Sequence, residues 1–139
     1  VIGPDPARIL LVHPLGYRAA AARTDISRLA NLMPPLGLAS IAAYLDRRGL
    51  GTTLVDCYAN PDSDRLIRER LLAERPAFLG LSCTTSSFLD GVRIARLARL
   101  ALPAVRTVFG GPHVSALKER VLREFPDVDF VVLGEGEEN

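Results

Sequence analysis

Few of the residues that most often advertise chemistry occur in this 139-residue chain. It holds two cysteines, Cys57 and Cys83, and their separation matches no metal-ligand spacing. A disulfide could join them, but nothing suggests a secreted scaffold, so a reducing cytoplasm is the expected compartment. Histidine occurs twice, as His13 and His113. Lysine occurs once, as Lys118, among 17 basic residues, an arginine excess that reads as genomic base composition. The first residues, VIGPDPARILLV, lack the charged and long apolar regions of a signal peptide. No stretch reaches the roughly 18 apolar residues of a membrane span. The formal net charge is +1, so no strongly charged partner is implied and nothing calls for nucleic acid.

The common catalytic signatures are missing too. No Gly-x-Gly-x-x-Gly follows a strand, and no Walker loop occurs. Gly134-Glu135-Gly136 lacks the third glycine and the following helix. No serine sits in a Gly-x-Ser-x-Gly elbow. A phosphoacceptor receiver domain needs an acidic cluster by its first strand and a lysine after its fifth. Here the first strand ends in His13-Pro14, and Lys118 falls in an expected helix. Neither histidine has local metal spacing with Asp56 or Glu135, so no metal ligand and no catalytic residue are expected.

What is present is a core and a rhythm. Hydrophobic residues make up 48% of the chain, enough to bury the interior of one domain spanning 1–139. Five short apolar runs stand out: Arg8–His13, Thr52–Asp56, Ala77–Ser82, Arg106–Gly110 and Asp129–Leu133. Most are continuous rather than alternating, as expected for strands buried on both faces of a parallel sheet. Helical patterns separate them over Leu36–Arg48, Ser63–Glu74, Leu89–Ala101 and Ser115–Phe125, the last with Ser115 as its N-cap. Pro76, Pro103 and Pro126 follow helices that they cannot continue. Strand–helix alternation with right-handed crossovers gives a doubly wound, flavodoxin-like α/β domain with five parallel strands in the order 2-1-3-4-5. Such a fold normally adds a closing helix after its fifth strand. The chain ends at GEGEEN instead, so a cut from a larger protein is expected.

Ligands of such sheets bind outside the carboxyl ends of the strands. The loop from Pro14 to Pro35 exceeds 20 residues, against about 2–6 in typical strand-to-helix loops. The third loop, SCTTSS, is rich in hydroxyls, and the fourth, GGPHVS, in glycine. Gly110 and Gly111 would let a backbone approach a ligand, although a tight turn would use them equally well. The hydroxyls could bind amides or a phosphate, or simply cap the next helix.

Five strings stand in order, MPPLGLASIAAYLDRRG, a strand ending in Asp56, GLSCTTSSF, VFGGPHVSA and FVVLGEGE, within a likeness that runs from Ile9 to Glu137. Together they resemble the N-terminal cobalamin-binding domain of cobalamin-dependent radical S-adenosylmethionine enzymes. That group includes methyltransferases and anaerobic cyclases. The resemblance implies cobalamin as ligand, held near Pro35, Leu36, Gly37, Ser82, Thr84, Thr85, Gly110, Gly111, Pro112, His113 and Glu135. Ser82 and Thr84 match the family's Ser-x-Leu or Ser-x-Thr near the nucleotide tail, and Gly110-Gly111 its Gly-Gly that makes room for the benzimidazole. The wider family carries Asp-x-His-x-x-Gly, whose histidine ligates cobalt. Aligning Gly37 with that glycine puts Pro34 at the histidine and Leu32 at the aspartate. The implied state is base-off without a histidine ligand, with the loop His13–Pro35 covering the lower face. The family's 4Fe-4S cluster needs Cys-x-x-x-Cys-x-x-Cys, which Cys57 and Cys83 cannot supply. The cluster, S-adenosylmethionine and catalysis are therefore expected only in a downstream domain, this domain's partner. A free-standing flavodoxin-like binder of a flavin, nucleotide or corrinoid, without catalysis, is the alternative, and a structural or protein-interaction domain with a vestigial crevice the third.

Overall fold

The computed structural model describes residues 3–16 and 33–137. Five strands, β1 (Asp5–His13), β2 (Gly51–Asp56), β3 (Pro76–Ser82), β4 (Arg106–Gly110) and β5 (Phe130–Val131), form one sheet. All pairs are parallel and the order is 2-1-3-4-5. The helices are α1 (Leu36–Asp46), α2 (Ser63–Glu74), α3 (Phe88–Ala101), α4 (Pro112–Leu117) and α5 (Arg120–Glu124). The doubly wound flavodoxin-like architecture is therefore the one its periodicity predicts.

Alternation along the strands sorts the sheet into two faces. Leu10, Val12, Leu79, Leu81 and Phe109 are buried in one core with Ile67 and Leu71 of α2, Ile94 and Ala98 of α3, Val114 of α4 and Val121 of α5. Burying each such aliphatic or aromatic side chain contributes about 1.5–3 kcal/mol. On the other face α1 packs against β1 and β2, with Leu38 its buried residue. Beside it, Ile9, Leu11, Phe78, Gly80 and Val108 turn toward a cleft.

Two expectations need correction. The helix expected over Ser115–Phe125 is two short helices, because Lys118 takes a φ of 51° and interrupts the ladder. The first of them starts at Pro112 behind Gly111, so Ser115 lies inside a helix and is not its N-cap, and Lys118 lies between helices. β5 is also shorter than the run Asp129–Leu133, although Val132 N–H still donates to Phe109 C=O at 2.9 Å. The long loop's residues 17–32, including Leu32, lie outside the described residues, and so does most of the expected cover.

Candidate functional site

The cleft has a volume of about 340 Å³, at the small end of ordinary ligand sites, which run from about 300 to 1,000 Å³. Its floor is the sheet face of β1, β3 and β4. One wall is α1, through Gly37, Leu38, Ile41 and Leu45. The other is the segment that leaves β5, Val132 through Glu137. That segment is tied down further along by side chains of two helices. Gly134 N–H donates to Ser115 Oγ at 3.2 Å, and Ser40 Oγ–H donates to a Glu137 carboxylate oxygen at 2.7 Å. The Ser40 hydroxyl holds the Glu137 carboxyl below its ordinary range. A Cβ on Gly136 would lie 2.8 Å from Ile41 Cδ1, the far end of a side chain that would have to shift to admit it.

At the carboxyl rim the two adjacent glycines do different work. Gly111 has a φ of 98°, and a Cβ there would lie 2.6 Å from Cys83 O and 2.8 Å from Cys83 N. It is required by the backbone itself, because His113 N–H reaches Cys83 C=O at 3.3 Å across the same junction. A Cβ on Gly110 would meet only Val132, at 3.7 Å and beyond, and would otherwise face the cleft. Of the two uses the sequence left open for these glycines, Gly111 takes the tight turn.

Of the residues singled out from the sequence, Gly37, Ser82, Gly110, Gly111 and Glu135 line this cleft. Pro35, Leu36, Thr84, Thr85, Pro112 and His113 do not. Leu36 is exposed at the start of α1. The hydroxyl loop folds back on itself: Thr84 N–H donates to Ser87 Oγ at 2.9 Å, and Thr84 Oγ lies 3.1 Å from Ser86 Oγ. His113 Nδ1 lies 3.2 Å from Thr85 Oγ, and its ring packs on Phe88 with centroids 4.5 Å apart. The apolar floor, Ile9, Leu11, Phe78 and Val108, was not singled out as a site. Its signal was the continuity of the apolar runs, which marks both faces of these strands as apolar, the cleft face among them.

Among the described residues no group of three histidine, cysteine or acidic side chains converges to hold a metal ion. No helix among them is long and apolar enough to cross a membrane.

The model of the B12 binding domain family matches residues 22–139. The chain belongs to the B12-binding domain family. This B12-binding domain is 31% identical over 132 residues to an anaerobic magnesium-protoporphyrin IX monomethyl ester cyclase of Rubrivivax gelatinosus, covering 94% of the chain and 23% of the relative. It is 36% identical over 131 residues to an uncharacterized methyltransferase of Pyrococcus horikoshii, covering 94% and 27%. It shares its fold with the radical S-adenosylmethionine methyltransferase TsrM of Kitasatospora setae, at a TM-score of 0.69 and 20% identity, over 95% of the chain and 24% of that structure. The chain thus spans about a quarter of the length of these relatives.

Proposed function

We propose that this domain holds cobalamin base-off, without a histidine lower ligand, as the cofactor module of a larger radical S-adenosylmethionine enzyme. The observation that carries the reading is the space beside Gly110. A largely apolar cleft lies over the sheet beside that glycine, with Ser82, Glu135 and Glu137 as the polar side chains of its lining. A benzimidazole nucleoside, flat and apolar at one end and polar at the other, suits such a shape. Gly110 and Ser82 would flank it, α1 would cover one side, and the Val132–Glu137 segment the other.

Pro34 stands at the position where the wider family has its ligand histidine, and it has neither a side-chain nitrogen nor a backbone N–H. When bound, cobalamin supplies a cobalt centre able to accept and donate a methyl group. The chain's own part is to grip the tail and exclude water from it. Thr84, Thr85, Pro112, His113, Pro35 and Leu36 belong, in this reading, to the rim that meets the corrin. The 4Fe-4S cluster, S-adenosylmethionine and the substrate belong to a domain beyond 1–139.

The test is reconstitution with hydroxocobalamin, then gel filtration and a visible spectrum. A red to orange protein peak is expected. A colourless one that turns yellow with a flavin would instead support the free-standing flavodoxin-like alternative.

A further inference from the structure

One row of residues crosses the carboxyl ends of four strands. His13 is in register with Asp56, and Ser82 with Gly110. The register that matches Val12 with Leu81 sets His13 beside Ser82. Ser82 and Gly110 line the cleft, and so do Ile9 and Leu11, which share a strand face with His13. His13 and Asp56 therefore continue the rim of the cleft onto β1 and β2.

The histidine is held on several sides. Its Nδ1 lies 3.2 Å from Asp56 Oδ1, an oxygen that also accepts the Tyr58 N–H at 3.0 Å. Cys57 N–H donates to His13 C=O at 3.0 Å, and the Tyr58 ring lies against the imidazole at 5.1 Å. A carboxylate only accepts, so Nδ1 carries the hydrogen. Nε2 remains as the ring's other polar atom, on a side chain that is 25% exposed. In the neutral ring it is an acceptor.

We propose that His13, oriented by Asp56, is a corrin-binding residue whose Nε2 takes a hydrogen bond from a peripheral carboxamide of the cofactor. This rests on the cobalamin reading above. A carboxamide N–H suits an acceptor backed by a carboxylate, whereas the anionic phosphodiester of the tail would be repelled by Asp56. Asp56 is a positioning residue, since it acts through the imidazole.

The experiment uses the chain with ¹⁵N-labelled histidine and dicyanocobalamin. The two cyanides fill both axial positions of cobalt, so no imidazole can ligate it. The His13 Nε2 resonance, assigned by its absence in His13→Gln, should move on saturation. The isolated benzimidazole ribonucleotide should leave it in place. His13→Ala should bind dicyanocobalamin about 3- to 10-fold more weakly, the effect of one hydrogen bond. His13→Gln, which keeps a polar acceptor, should recover part of the loss. An unmoved Nε2 resonance in the saturated complex overturns the proposal, as does a shift produced by the ribonucleotide alone. If the parent chain binds no dicyanocobalamin, the cobalamin reading fails first and this proposal with it.

Discussion

The backbone N–H of Leu15, just past the end of β1, donates to Asp90 Oδ2 in the first turn of α3 at 3.2 Å. Asp90 is almost wholly buried, and its other oxygen accepts from Arg93 Nε at 2.9 Å. Arg93 in turn grips both oxygens of Asp64 on α2, at 2.9 Å each. The start of the long first loop is thus anchored to two helices on the face opposite the cleft. Asp90→Ala leaves the Leu15 N–H without its acceptor, and should lower stability by about 1–3 kcal/mol. Asp90→Asn keeps an acceptor oxygen and should lose less. Urea unfolding and hydrogen exchange at the Leu15 amide measure both effects.

The rim glycines should separate cleanly. Gly111→Ala forces a side chain into the Cys83 backbone at a positive φ, and should destabilise by about 1–3 kcal/mol or more. Gly110→Val should leave the melting temperature of the cofactor-free chain nearly unchanged, because the open side of that position faces the cleft. Its cobalamin retention on gel filtration should collapse. If Gly110→Val binds like the parent, the nucleotide tail does not pass this glycine.

How much of this was legible beforehand differs by residue. The sheet order followed from runs such as Arg8–His13 and Ala77–Ser82, because strands buried on both faces leave a plain apolar signature. Helix α2 has the bounds its pattern predicts, Ser63 to Glu74. The break at Lys118 was not legible, since Leu117, Val121 and Leu122 keep a helical period across it and no glycine marks the turn. The different tasks of Gly110 and Gly111 were equally hidden, because Gly111 depends on Cys83 and Gly110 on Val132, residues that follow other strands. The rim row of Asp56, His13, Ser82 and Gly110 needed the register of four strands.

Acid should reveal Asp129. Burial alone would raise its carboxyl, but the Thr107 N–H at 2.8 Å and Arg99 at 2.8 Å outweigh it and hold it below the 3.8 of an unperturbed aspartate. A depressed folded pKa stabilises the fold above the unfolded value. That contribution is lost as pH falls from about 3.8 through the lower folded one. Asp129→Asn should therefore be less stable than the parent near neutrality, with the gap closing below that pH. Thermal melts across an acid series measure it.

Both thiols should be silent in the native chain. Cys57 and Cys83 are fully buried, and burial, with Asp90 nearby, pushes the Cys83 thiol up to about 12. A thiol-disulfide reagent at mild alkaline pH should label neither until denaturant is added, and both afterwards. Fast native labelling of Cys83 would mean that the junction with Gly111 opens readily.

The cobalt's lower face tests the account most directly. Cob(II)alamin bound to the parent chain should give an electron paramagnetic resonance spectrum without nitrogen superhyperfine splitting. Neither His13→Ala nor His113→Ala should change that line shape, because His13 serves the corrin periphery and His113 packs on Phe88. A triplet lost in one of the two variants would show that histidine ligates cobalt. A triplet that survives both would place the benzimidazole on the metal and contradict the base-off reading.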